Sequence, residues 1–267
     1  MSYPNALRDV LDDVIAPCAE RAHREGKFPR DAVTALGRAG LLGLTCPAEP
    51  GGGGADLVQA AEVVARVAPV CPATAAVLQS HYAAAAVVEA HGGPWLREEV
   101  AGGRHLCTLA LVEDGAHGAA QSTACRTGDV VTLRARKRDV VAAGEADSYV
   151  WSTLPVGPGA ADGLTLWGVP AHAPGLFVPA RATGVPRASA ASTVGADPVR
   201  VPAEVMLGAD GEGVGVLLDA VLPWLLELRA AVGAAAVHPT LDTLTGPAFG
   251  AAGSGQALAT SAATAPR

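Results

Sequence analysis

Leu7, Val10, Leu11, Val14, Ile15 and Cys18 recur three and four positions apart with charged residues between them, which predicts an amphipathic helix over residues 6–22. A second, short helix is expected over 31–38, closing near Gly40. The stretch 47–54, Pro-Ala-Glu-Pro followed by four glycines, reads as a loop. Asp56 is placed to cap a third helix with Leu57, Ala60, Ala61 and Val64 on one face, and an alanine-rich fourth is expected over 73–89. The first hundred residues thus read as all-α.

At His105 the period changes. Short β-prone runs at 105–112, 130–135, 148–153 and 164–169, separated by Gly, Asp and Pro, predict an antiparallel sandwich or barrel that ends at 199–201. Gly211-Glu212-Gly213 then leads into a helical stretch, 214–237, that is apolar on nearly every face and therefore needs cover from other helices. Its Asp219, Pro223, Glu227 and Arg229 argue against a membrane span. Beyond His238-Pro239, Gly, Ala, Ser and Thr follow without periodicity, and a poorly ordered tail is expected. The predicted class is α+β multidomain: a helical domain at 1–103, a β domain at 104–209, the first helix of an incomplete C-terminal bundle at 210–237, and a tail at 238–267.

Composition narrows the partners. Of 267 residues, 50% are hydrophobic and 17% charged, a balance that suits a packed domain and not a disordered chain. The net charge of −7, with the basic residues spread out, leaves no electrostatic footprint for nucleic acid. The opening residues lack the basic-then-apolar pattern of a signal peptide, and a cytoplasmic protein with no membrane segment is expected. Cys18, Cys46, Cys71, Cys107 and Cys125 form an odd set without a CxxC pair, so neither a disulfide framework nor a metal site is expected, and all five read as small buried hydrophobes.

Several local strings carry a resemblance. GLLGLTCPAEPGGGG at 40–54, Ser80-His81, Glu89-Ala90-His91-Gly92-Gly93, Pro174-Gly175-Leu176 and VRVPAEVMLG at 199–208 with Gly211-Glu212-Gly213 are similar to strings of the acyl-CoA dehydrogenase family. The likeness covers about residues 1–235, and Arg229 falls where that family has an arginine in the first helix of its C-terminal bundle. The resemblance implies the three-part fold, FAD as cofactor, and an acyl-CoA or acyl-carrier thioester as substrate. It further implies a carboxylate that removes the α-proton while the β-hydride passes to the flavin. A homo-oligomer, or a partner chain that completes the bundle, is expected as well.

The departures fall on the chemistry. The family's Thr-Glu-Pro-Gly-x-Gly-Ser-Asp string stands here as residues 112–119, so its flavin-facing threonine is Val112 and its substrate serine and aspartate are gone; His117 and Gly118 occupy the substrate stretch. The second flavin string keeps Lys137 but has Asp139 for the covering aromatic and Val141 for the hydroxyl residue. The resemblance therefore assigns cofactor contacts to Leu109, Leu111, Val112, Glu113, Asp139 and Val141. Backbone amides from Leu111 to Glu113 remain available in principle, since they do not depend on side-chain identity. FAD is expected to bind weakly or to be lost.

Leu241-Asp242, Phe249-Gly250 and Gln256 look like compressed remnants of a later family string, interrupted by Pro239, and the region that usually carries the base is missing. Glu227, one position off the pattern of a branch that keeps its base before the bundle arginine, is the remaining candidate. A carboxylate there either becomes a base through burial, or merely reaches a surface or pairs with Arg229.

Other candidates read as structural. They are the glycine loop, His81 as a packed residue, Tyr149 and Trp151 as cross-strand packing, and the basic run 134–138 as a solvated face. Three function classes stand: a dehydrogenase-type flavoprotein, intact or impaired; a flavin-dependent monooxygenase on the same fold; and a non-catalytic partner subunit or remnant.

Overall fold

A computed structural model describes residues 2–113, 122–157, 163–179, 188–232 and position 245. The first predicted helix is a continuous rod. Tyr3–Val10 (α1) and Ala16–Glu25 (α2) are joined by a π turn at Leu11–Ile15, and Gly26, at φ 61°, ends it. Leu7, Val10, Leu11 and Ile15 are buried, as the spacing requires. Arg30–Arg38 (α3) follows, and Arg30 reaches across to Glu145 at 2.5 Å, which ties the helices to the β region.

Leu57–Val67 (α4) starts with a capping box. The Gln59 amide donates to Asp56 Oδ1 and the Asp56 amide donates to Gln59 Oε1, each at 3.0 Å. Pro72–His91 (α5) is buried on almost every side, which its alanine content allows, and it forms the centre of the helical layer. A further helix, Pro94–Ala101 (α6), has no apolar stripe to announce it. Its proline sits in the first turn, where no amide is needed, so the Gly92-Gly93-Pro94 break is also a start.

The β region consists of two four-stranded sheets. One orders Cys107–Ala110 (β1), Ser148–Thr153 (β4), Thr165–Pro170 (β5) and Met206–Leu207 (β8) as β1-β4-β5-β8. The other orders Thr123–Thr127 (β2), Val130–Val140 (β3), Leu176–Phe177 (β6) and Ser192–Pro202 (β7) as β2-β3-β7-β6. All pairings are antiparallel except β1 with β4, which is parallel and departs from the purely antiparallel expectation. β3 alternates as a half-buried strand should: Val131 and Leu133 face in, while Arg134 and Arg136 face solvent. The basic run is therefore a solvated strand face, apart from Lys137.

The apolar stretch after Gly211 is a short helix, Gly213–Val216 (α7), a π turn at Leu217–Val221, and Leu222–Val232 (α8). The expectation of apolar contact on every face is corrected here. Val214, Leu217, Val221, Leu225 and Leu228 form one buried stripe, and α8 packs against α4 and α5, with Trp224 stacked obliquely on Tyr82 at 6.5 Å. The chain's own first hundred residues thus cover one side, and Leu226 stays 47% exposed on the other. The predicted end of this helix at 233–237 and the predicted tail lie outside the described residues. No helix among the described residues is long and apolar enough to cross a membrane.

Cysteine burial is also corrected. Cys46, Cys71 and Cys107 are buried, Cys18 is half-buried and Cys125 is exposed on β2, an edge strand of its sheet whose side chains are mostly exposed.

Candidate functional site

The two strings assigned to a cofactor lie side by side. Past the end of β1, Glu113 forms a bridge with Lys137, and the Arg138 amide donates to the Val112 carbonyl at 2.9 Å. Thr108, in β1, donates its hydroxyl to the Val141 carbonyl at 2.8 Å and shares a 2.7 Å hydrogen bond with Ser80 of α5. Leu109, Leu111, Val112, Glu113, Asp139 and Val141 are thus gathered at one edge of the β region.

Their chemistry is largely apolar. Leu109, Leu111, Val112 and Val141 are buried, and the Leu109 amide is engaged by Ser80 Oγ at 3.1 Å. Asp139 adopts a left-handed backbone, at φ 54°, and is ion-paired with Arg138, so a charged pair stands at the position of the expected aromatic. His117 and Gly118 lie outside the described residues.

A polar cluster backs this edge. Lys137 is fully buried, ion-paired with Glu113, and donates to Ser152 Oγ at 2.9 Å. Burial pulls its ammonium down to about 8 against the opposing pull of Glu113. Trp151 lies 5.9 Å from the Lys137 Nζ, and its buried indole Nε1 has no hydrogen-bond partner among the described residues. In the sequence Lys137 is a family match inside a basic run, and such a run looks the same whether its fourth residue faces in or out; the Glu113 bridge decides it.

The remaining candidates are structural. His81 is completely buried: its Nδ1 accepts from the Cys107 amide at 3.2 Å, which leaves Nε2 to donate to the Leu42 carbonyl at 3.1 Å. Desolvation holds the ring down at about 4, so it is neutral in ordinary buffers. Tyr82 likewise donates to the Leu41 carbonyl at 2.7 Å, and α5 thereby grips the 40–54 string.

The glycine loop is not a phosphate cradle, because its amides are spent internally. Gly53 donates to the Gly43 carbonyl at 3.0 Å, Gly54 to Cys46 at 2.9 Å and Ala55 to Leu44 at 3.0 Å. A Cβ on Gly43 would overlap the Ala101 carbonyl, so the loop exists to let backbones meet. Tyr149 and Trp151 are fully buried in β4; the Tyr149 hydroxyl accepts from the Gly144 amide at 2.9 Å.

Glu227 is exposed on α8, on the side opposite the buried stripe of Leu225 and Leu228. Of the three possibilities for it, the structure shows the one in which the carboxylate merely reaches the surface. It is not buried, and residues two apart on a helix do not face each other, so Arg229 is out of position to pair with it. Among the described residues no group of His, Cys, Asp and Glu has the arrangement of a metal site.

Comparison with known proteins agrees with this architecture. Residues 3–103 match the model of the acyl-CoA dehydrogenase N-terminal domain. An acyl-CoA dehydrogenase of Bacillus subtilis (strain 168) is 25% identical over 222 residues, which is 79% of this chain and 58% of that protein. A probable acyl-CoA dehydrogenase of the same organism is 30% identical over 224 residues, 78% of this chain and 57% of its own length. The chain therefore spans somewhat over half the length of these relatives. The butyryl-CoA dehydrogenase structure from Megasphaera elsdenii superposes with a TM-score of 0.75 at 21% identity, over 86% of this chain and 64% of that one.

Proposed function

We propose, from the premise that this chain belongs to the acyl-CoA dehydrogenase family, that it is the helical and β portion of a flavin-dependent oxidoreductase of acyl thioesters, with a weakened hold on its cofactor. The observation that carries this reading is the pair of buried valines, Val112 and Val141, at the two positions where a hydroxyl would meet a flavin. FAD, when bound, would supply the hydride acceptor. Leu109, Leu111, Val112, Glu113, Asp139 and Val141 would border it, with backbone amides as the donors their side chains do not provide. The Arg138–Asp139 pair cannot replace an aromatic cover, so the side chains present fit a tightly held isoalloxazine poorly.

The substrate class follows from the family, an acyl-CoA or acyl-carrier thioester. A homo-oligomer, or a partner chain that completes the helical bundle, belongs to the same reading. A second reading, a non-catalytic partner subunit on the same fold, is favoured by the same Arg138–Asp139 pair. Purified chain should leave gel filtration with little absorbance at 450 nm. In excess FAD, slow oxidation of a short acyl-CoA by an artificial electron acceptor supports the enzyme. Complete inactivity with FAD demonstrably bound supports the partner subunit, and a stoichiometric yellow complex refutes the weakened hold.

A further inference from the structure

Four buried or half-buried polar side chains meet at one point of the β region: Lys137 on β3, Ser152 on β4, and Glu113 and Ser122, which lie in sequence between β1 and β2. The cluster is directional. Lys137 is ion-paired with the Glu113 carboxylate, and the same carboxylate accepts from the Ser122 hydroxyl at 2.7 Å and from the Ser122 backbone amide at 3.1 Å. The Glu113 carbonyl in turn accepts from Arg138 Nε at 3.2 Å. One lysine therefore holds, through one carboxylate, two chain positions that are nine apart, and anchors both to β3 and β4.

We propose that Lys137 is a positioning residue: acting through Glu113, it fixes the backbone of residues 111–113 and the entry to β2 in the arrangement offered to the cofactor. Its purpose rests on the flavin reading above; its geometry does not. Removing the ammonium would take from the buried Glu113 carboxylate the charge that Lys137 sets against it, and a carboxylate that loses such support moves toward water. Ser122, itself 1% exposed, would then lose the acceptor of both its donors. A neutral glutamine at 113 has no such reason to leave and can still accept from Ser122.

Amide hydrogen exchange on the full chain without cofactor tests this. Lys137→Met should speed exchange about ten-fold in peptides covering 107–113 and 122–127 and leave α5 unchanged. Adding Glu113→Gln to that variant should restore both peptides to within roughly three-fold of the original chain. Unchanged exchange in the single variant, or no rescue in the double, overturns the proposal, since a lysine that merely packs would not be rescued by a change in its partner.

Should Lys137→Met loosen the whole chain, Ser122→Ala reads the same link with the ion pair intact. A local rise of about three-fold at 122–127 supports the proposal, and none overturns it. A parallel FAD titration separates the two readings. Affinity that follows exchange across these variants joins them, whereas an original chain that takes up no FAD refutes the flavin reading and leaves the exchange result standing.

Discussion

Leu225→Ala should lower the unfolding free energy of the chain by about 2–5 kcal/mol, while Leu226→Ala, one position on, should change it by less than about 0.5 kcal/mol. Leu225 is completely buried where α8 packs against the N-terminal helices, whereas Leu226 is 47% exposed on the opposite side. Truncating the first removes transfer free energy and leaves a cavity between helices that are held by their own packing and cannot close fully. Urea titration of the two variants against the parent measures the contrast. Equal effects would mean that α8 is not seated on α4 and α5 as described.

Acidification should destabilise the fold through His81. The ring is held neutral by burial, with its proton affinity lowered from the ordinary 6.5 to about 4. The unfolded chain therefore binds more protons than the folded one between these values, so stability rises with pH across the window. The contribution is fully present above about pH 6.5 and is lost as pH falls through about 4, amounting to about 3 kcal/mol. His105 is also buried and shifted in the same direction by desolvation, so the parent alone does not isolate one ring. The stability difference between the parent and His81→Gln does. It should shrink by about 3 kcal/mol between pH 7.5 and pH 4 in denaturant titrations. A difference independent of pH would show that His81 is not buried neutral.

These two predictions mark where sequence reading succeeded and where it stopped. The 40–54 string was legible because its glycines answer a local demand, backbones meeting at Gly43 and amides turned inward, and such demands leave few residue choices. The Asp56 cap was legible for the same reason. The stripe on α8 was not. An apolar helix reads alike whether one face or every face is covered, and what covers it is more than a hundred residues away in the chain. β2 was missed because an exposed edge strand has no alternation to show, and β7 because Gly195 and Pro198 interrupt its pattern. The buried role of Lys137 was hidden within a basic run, since burial of a charge is decided by a partner 24 positions away. Of the site, the resemblance singled out two strings that the structure brings side by side. His117 and Gly118 lie outside the described residues, and the case for Glu227 lost its premise of burial.

On the function proposed above, the family scaffold persists here while its grip on the flavin is weakened at Val112 and Val141. Equilibrium titration of FAD, followed by quenching of flavin fluorescence, tests it most directly when the chain is compared with the double variant Val112→Thr, Val141→Thr. Each restored hydroxyl contributes roughly 0.5–1.5 kcal/mol net, and about 1.4 kcal/mol is a factor of ten in affinity. The account predicts that the double variant binds FAD about ten- to one-hundred-fold more tightly than the original chain. Equal affinity of the two chains, or an original chain already saturated at stoichiometric FAD, would contradict it.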